Sequence, residues 1–282
     1  MTEEQAGAVP EPAAADKSGQ GVVAAFGQSL KTLRLRARME REEVGKRLGY
    51  SASTIASFEQ GRRIPPPRAI DRADEVLEAG GLLTVWKDQL EKAQYPAFFQ
   101  GMAELEKRAM ELLAYDTLVV NGLLQTEEYM RALVGNHCPP VDAETIEQRV
   151  TARLARQDIF DRRPAPLLSF VMCESVLRRK VGGEEVLRGQ LEELLLIGQR
   201  RNVEIQIMPL ASEDNAGLEG PFTFITRDDG KRFVYVEAQG TSTLETDPKQ
   251  AVLAAARYGI IRSQALTPRE SLAFVEKLLG EL

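Results

Sequence analysis

The feature that most constrains the fold is a glycine turn between two short helical segments. Residues 41–48 carry two apolar positions at helical spacing, Gly49 and Tyr50 form a turn, and residues 51–60 form a second segment. Two short helices joined by a three- or four-residue turn that contains Gly make a helix-turn-helix unit. The spacing therefore predicts such a unit within residues 26–65.

The second segment has signals for a helix at both of its ends. Ser51 can accept hydrogen bonds from the first free amides, and Gly61 sits where a left-handed residue ends a helix. Ile55 and Phe58 lie three residues apart and are expected to face the core. The opposite side is expected to face solvent and to enter the major groove of DNA.

The residues expected to contact DNA are Arg41, Ser51, Ala52, Ser53, Thr54, Ser57, Gln60, Arg62 and Arg63. Among them Ser53, Ser57 and Gln60 are the expected base readers, because serine and glutamine can hydrogen-bond base edges. Thr54 and Arg41 are expected near the DNA backbone. Arg62 and Arg63 are expected to attract phosphates.

Charge supports the same interpretation. Residues 26–72 hold eleven basic and five acidic residues, a charge of plus six, whereas the whole chain carries minus six. The net charge of all residues outside 26–72 is therefore minus twelve. A basic module on an acidic protein is the electrostatic pattern expected of a phosphate binder.

The run from Glu42 to Pro65, which includes Gly61-Arg62-Arg63-Ile64-Pro65, resembles the phage-repressor (XRE) class of helix-turn-helix domains. In that class the first helix of the pair often opens with Thr-Gln, and the Gln binds a phosphate. Glu40 and Arg41 stand at those positions here. The resemblance implies a double-stranded DNA partner.

The length of 282 residues predicts two domains. Residues 1–24, which have few large apolar side chains, are expected to form a disordered tail. Residues 25–92 are predicted to form a mainly α domain of five helices. The character of the sequence changes near residues 93–96, and residues 95–282 are predicted to form an α+β domain with a small mixed sheet.

Within this second domain, apolar spacing predicts a helix over residues 98–112, a short extended segment over 118–124, and a helix through Ile146, Val150 and Leu154. The last helix carries a basic stripe that is expected to be a solvated face; its members are Arg149, Arg153 and Arg156. Short β-rich runs predict four strands, at residues 167–173, 203–208, 222–226 and 233–237.

Connections between these strands can also be predicted. An apolar helical face between the first two strands indicates a βαβ unit with parallel strands, and Asp228-Asp229-Gly230 indicates a hairpin. Two helices are expected to close the chain, at 248–264 and 268–279. The second begins with the capping box Thr267-Pro268-Arg269-Glu270.

The C-terminal sequence resembles the second domain of the WhiJ-like regulators of actinomycetes. The resemblance rests on Tyr95-Pro96-Ala97-Phe98-Phe99, on the runs 121–129 and 150–157, and on Asn215-Ala216-Gly217-Leu218-Glu219-Gly220-Pro221-Phe222. It implies an antitoxin-like domain that receives a small protein encoded nearby, and a developmental or antibiotic-linked transcriptional regulator. It brings no catalytic residues.

The composition of the chain argues against several other classes of protein, namely histidine-dependent enzymes, two-histidine metal proteins and membrane proteins. His137 is the only histidine, so one chain cannot supply a His-based triad or a two-histidine metal site. No enzyme activity, metal or cofactor is expected. Cys138 and Cys173 are expected to be reduced thiols, and no apolar run approaches the roughly 20 residues of a membrane span. The protein is expected in the cytoplasm, associated with the nucleoid.

Three functions from different classes remain open. The first is a DNA-binding regulator, expected to be a homodimer and a repressor, whose acidic domain receives a protein partner. The second is the same regulator gated by a small molecule near the loop 215–221. The third is an interaction protein or an enzyme in which DNA binding is incidental.

Overall fold

A computed structural model describes residues 17–93, 97–138, 140–239 and 241–282 of the chain. The chain divides into two compact units between Ala97 and Phe98. Residues 1–16 of the predicted tail and Tyr95-Pro96 lie outside the described residues. Each unit is described by itself below.

The described part of the N-terminal unit is helical. Its helices are α1 Lys17–Arg36, α2 Arg41–Leu48, α3 Ala52–Glu59, α4 Pro67–Val76 and α5 Lys87–Ala93, with a 3-10 turn at Thr84–Trp86 before α5. The core lies between α1 and the α2–α3 pair. Phe26 and Leu30 of α1 are buried there together with Val44, Ile55 and Phe58, as the apolar spacing predicts.

The prediction of a disordered tail is wrong for residues 17–24, because α1 begins at Lys17. Val23 is only 5% exposed and belongs to the same core as Phe26. The backbone of Ala24 lies close to Gly61, where an added Cβ would be 2.7 Å from the Ala24 Cα. Residues 17–24 are thus partly buried through contacts with the core and with the turn at Gly61. The composition of the segment alone does not predict these contacts.

The C-terminal unit is built on one six-stranded mixed sheet. Its strands are β1 Ala109–Asp116, β2 Leu167–Cys173, β3 Val203–Met208, β4 Phe222–Arg227, β5 Arg232–Ala238 and β6 Thr241–Glu245, in the order β3-β2-β1-β4-β5-β6. Strands β1, β2 and β3 run parallel, and the remaining pairs are antiparallel. The parallel and antiparallel halves meet at β1.

Helices cover both faces of this sheet. They are α6 Ala97–Lys107, α7 Glu127–Gly135, α8 Ala143–Arg156, α9 Glu174–Arg178, α10 Glu184–Ile197, α11 Pro248–Gln264 and α12 Pro268–Glu281. One core contains residues of α10 and α12, and a second core contains Tyr258 and Ile261 of α11. No helix in the described parts of the chain is long and apolar enough to cross a membrane.

Several connections match the sequence predictions. Strands β2 and β3 are parallel and are joined through α10, as expected for the βαβ unit. Strands β4 and β5 form the predicted hairpin at residues 228–230. Helix α11 has the predicted bounds, and Thr267 and Glu270 form both bonds of the capping box at the start of α12.

The sheet is larger than the four predicted strands. The helix predicted over residues 98–112 is wrong beyond Lys107, because residues 109–116 form β1 at the centre of the sheet. Ala, Met, Glu and Leu favour helices, but pairing on both sides and burial override that preference here. The segment 118–124 is a loop with a turn at 122–124 instead of an extended segment.

The basic stripe of α8 is not a solvated face, so that prediction is also wrong. The Arg156 side chain is 9% exposed and forms two hydrogen bonds to Glu106 of α6, at 2.7 and 2.8 Å. Arg153 donates to the Gln125 side chain at 3.2 Å, and burial lowers the pKa of its guanidinium to about 10. A buried charge is stable only with partners, and the partners of this stripe come from distant parts of the chain.

Candidate nucleic-acid interface

Helices α2 and α3 are joined by a tight turn. Gly49 ends α2 with φ of 80°, in the left-handed region that favours glycine, and the Tyr50 amide donates to the Gly45 carbonyl at 2.8 Å. At Gly45 an added Cβ would lie 2.5 Å from the Tyr50 carbonyl oxygen. The glycine within α2 therefore lets the turn pass directly against the helix, and this fixes where α3 begins.

The start of α3 is fixed by a side-chain cap. The Ser51 hydroxyl accepts a hydrogen bond from the Thr54 amide at 3.1 Å, which confirms the predicted cap. The same oxygen lies 2.9 Å from the Ser53 hydroxyl and 2.8 Å from the Thr54 hydroxyl. Three expected DNA contacts thus form one hydroxyl cluster at the first turn of α3.

The predicted division of α3 into a core side and an outer side is present. Ile55 and Phe58 are buried. The residues expected to enter the groove are exposed or half-buried: Ser53 and Gln60 are exposed, and Ala52 and Ser57 are half-buried. The first turn of α3 therefore presents short polar side chains to solvent, which is where recognition helices contact base edges.

The end of α3 brings three further residues of the predicted site together. Gly61 has φ of 69°, and the Ser57 carbonyl accepts hydrogen bonds from the amides of Arg62 and Arg63, at 3.0 and 3.3 Å. The Arg62 guanidinium donates to the Gln60 side-chain oxygen. The Arg63 guanidinium lies over the Phe58 ring, 6.0 Å from its centroid. Both arginines are exposed at the C-terminal end of α3.

Arg41, which is expected near the DNA backbone, also has a partner within the chain, because its Nε donates to Glu59 Oε2 at 2.8 Å. Arg34 of α1 also binds both oxygens of Glu59 and donates to the Met39 carbonyl at 2.8 Å. The Glu59 side chain is fully buried, whereas that of Arg41 is 37% exposed. Arg41 therefore joins α2 to α3 and keeps part of its guanidinium at the surface.

Arg34 and Glu59 are functional neighbours that the sequence prediction missed. Burial alone would raise the pKa of Glu59, but the hydrogen bonds from Arg34 and Arg41 outweigh it and lower that pKa. The position of Glu59 in the sequence indicates that it needs a cationic partner. It lies four residues after Ile55, on the buried side of α3, and a buried carboxylate requires a cationic partner.

The comparisons with known families match both units. Residues 25–85 match the family described as "Helix-turn-helix domain". Residues 99–277, more than half of the chain, match the family described as "Domain of unknown function (DUF5753)". The chain belongs to the DUF5753 family.

The helix-turn-helix match contains all nine predicted site residues, from Arg41 to Arg63. The DUF5753 protein is therefore a DNA-binding regulator of the helix-turn-helix type. The comparison with curated proteins finds no match. The comparison with solved structures finds none either.

Proposed function

We propose that the DUF5753 protein is a sequence-specific transcriptional repressor that places α3 in the major groove of DNA. The observation that carries this proposal is the first turn of α3, where a capped helix start presents Ser53 to solvent beside the hydroxyls of Ser51 and Thr54. Side chains at the start of a recognition helix reach base edges. The protein acts by binding, with no catalytic step.

Each site residue has a role in this proposal. Ser53, Ser57 and Gln60 contact bases, and Thr54 contacts the backbone next to the Ser51 cap. Arg62 and Arg63 contact phosphates, and the surface part of the Arg41 guanidinium contacts a phosphate on the α2 side. Ala52 packs against the groove. Serine reads several bases, so Gln60 is the strongest candidate for specific readout of adenine.

The test of this proposal is the salt dependence of DNA binding by an Arg62→Ala/Arg63→Ala double variant. Each phosphate contact that is lost flattens the plot of log affinity against log salt by about one. The double variant is expected to bind all sequences more weakly and to have a slope smaller by about two. Fluorescence anisotropy with a labelled duplex at several salt concentrations measures both quantities.

The matched control removes two exposed basic residues from α12 of the other unit, as Arg269→Ala/Lys277→Ala. This control changes the net charge equally and should keep the wild-type slope. Thermal unfolding checks that loss of the Arg63 contact with Phe58 leaves the N-terminal unit folded. A folded double variant with an unchanged slope would contradict the assignment of these arginines to phosphates.

The proposed active form is a homodimer on a pseudo-palindromic site. One eight-residue recognition helix reads only a few base pairs, and helix-turn-helix repressors dock as dimers on two half-sites. Two-fold symmetry of the protein then matches two-fold symmetry of the operator.

We also propose that the C-terminal unit receives a small protein partner in an antitoxin-like arrangement. This proposal is supported by the resemblance to WhiJ-like regulators and by the acidity of the chain outside the helix-turn-helix segment. A partner changes operator affinity only if it binds the DNA-competent and incompetent states unequally. Native mass spectrometry of the chain purified from its own cells tests this, because a small protein partner adds a mass that is not a multiple of the 31.2 kDa of one chain. A species that contains only copies of the chain would contradict the proposed partner.

A further inference from the structure

Helix α11 is apolar on two opposite sides. Its inner side, with Tyr258 and Ile261 buried, packs on the sheet. Its outer side carries Val252, Leu253 and Ile260 with 57%, 59% and 53% of their surface exposed. A surface helix ordinarily has one apolar stripe facing the core and a polar opposite face. Between Val252 and Ile260 the outer side of α11 therefore lacks the polar character that solvent favours.

The outer side has an internal symmetry. At 3.6 residues per turn, Ala256 lies at its centre, and Val252 and Ile260 flank it at about 40° on opposite sides. Leu253 and Gly259 lie at about 60° on opposite sides. Ala256 and Gly259 are exposed, and an added Cβ at Gly259 would meet nothing within 4 Å. Two such helices can approach closely at these small residues.

An open cleft and an exposed isoleucine lie on this one helix. The apolar cleft is lined by Pro248, Lys249, Val252 and Leu253. Ile260 is 53% exposed and lies two turns further along the same side. If a second α11 crosses antiparallel with the two Ala256 residues facing each other, each Ile260 is opposite Val252 and enters the cleft of the other copy.

Charges on α11 allow this arrangement. In the antiparallel pairing Lys249 is opposite Ser263, and no charged residue of the outer side faces its own copy. Arg257 lies at the margin, where Glu219 of the same chain binds it at 2.7 Å. Two copies can therefore meet without an unpaired charge at the centre of the contact.

We propose that the outer side of α11 is the homodimer interface of the DUF5753 protein, formed by antiparallel packing of α11 against α11 of a second copy. This inference rests in part on the proposed function, since binding to two half-sites requires a second copy. The cleft and the exposed Ile260 lie on opposite sides of Ala256, so antiparallel pairing joins each Ile260 to the cleft of the other copy, and this favours a second copy over an unrelated partner. Such a contact is isologous, in which the same surface serves both subunits.

The test places a negative or a positive charge at Ala256, the residue that faces its own counterpart in the second copy. Sedimentation equilibrium of the full chain without DNA is expected to give twice the 31.2 kDa mass of one chain. Ala256→Glu and Ala256→Lys should each weaken dimerisation at least tenfold, because the two-fold axis places like charges together. An equimolar mixture of the two variants should restore a two-chain species.

The matched control is Leu196→Glu, which places the same charge at a 67% exposed leucine of another helix, α10. It should dimerise like the wild type, and circular dichroism verifies that all variants are folded. A single-chain wild type, a dimeric Ala256→Glu, or a mixture that stays at single-chain mass would overturn the interface. Because DNA is absent, this outcome is separate from that of the DNA-binding test.

Discussion

At the residue scale, Glu59 determines how α1, α2 and α3 are held together. It is buried at the end of α3 and binds arginines from both other helices. A buried pair is weak evidence of net stabilisation, but removal of one member leaves an uncompensated charge and costs about 3–5 kcal/mol. Glu59 is therefore the residue at which a charge change should disturb the helix-turn-helix unit most.

We predict that Glu59→Gln destabilises the N-terminal unit by about 3 kcal/mol, because Arg34 remains buried without a carboxylate. Chemical denaturation at pH 7 measures this change. The control is Glu43→Gln, which breaks an exposed pair with Arg47 and should cost under about 1 kcal/mol. Equal effects of the two variants would contradict the role assigned to Glu59.

The stability of the wild type should also depend on pH through Glu59. The pKa of Glu59 is lowered in the folded state from about 4.3, the ordinary value for Glu. At pH values between the folded and the ordinary pKa, the unfolded chain therefore binds more protons than the folded chain. The contribution of Glu59 is thus present above about pH 4.3 and is lost as pH falls through the folded value. The difference in stability between wild type and Glu59→Gln should shrink over that range, whereas a constant difference would argue against the lowered pKa.

Local signals of single residues could be predicted from the sequence, and distant partners could not. The Ser51 cap and the left-handed Gly61 follow from rules that involve only a few neighbouring residues. The partner of Arg41 is 18 residues away, and that of Arg34 is 25 residues away. Nothing in local spacing fixes which arginines a buried carboxylate contacts, so the sequence predicts a DNA contact for Arg41 and not its ion pair with Glu59.

At the scale of elements, β1 shows why a central strand is difficult to predict. Its neighbours are β2 on one side and β4 on the other, and side chains on both of its faces are buried. Such a strand lacks the alternation of apolar and polar residues that marks a half-buried strand. Helix-forming residues then extend the apparent stripe of α6 into β1. The alternating strand β3, in contrast, was predicted with its observed bounds.

Helix α8 is held to α6 by the pair Arg156–Glu106, in which both side chains are under 10% exposed. We predict that Arg156→Met destabilises the C-terminal unit by about 3–5 kcal/mol, since Glu106 is left buried and unpaired. Arg131→Met is the matched control, because Arg131 binds Glu127 and Glu147 at the exposed surface, where solvent screens ion pairs and their contribution to stability is small. Thermal unfolding of the two variants measures the contrast, and a solvated α8 stripe would give two equally small effects.

At the scale of the whole molecule, charge separates the two functions that we propose. The segment 26–72 carries plus six, and the C-terminal unit, from Phe98 to Leu282, carries minus six, with 22 basic and 28 acidic residues. A positive helix-turn-helix segment attracts DNA, and a negative C-terminal unit is repelled by it. Electrostatics thus directs the DNA contact to one unit and leaves the other unit available for protein contacts, including the proposed α11 pair.

The central claim, sequence-specific binding of DNA through α3, is tested most directly by selection from a random double-stranded library with the full chain. We predict enrichment of a pseudo-palindrome whose half-sites are about 10 base pairs apart, centre to centre, or a multiple of that distance. Ser53→Ala should select a different half-site, because Ser53 is the exposed residue at the first turn of α3. Failure to enrich any sequence, or selection of the same site by both proteins, would contradict the account.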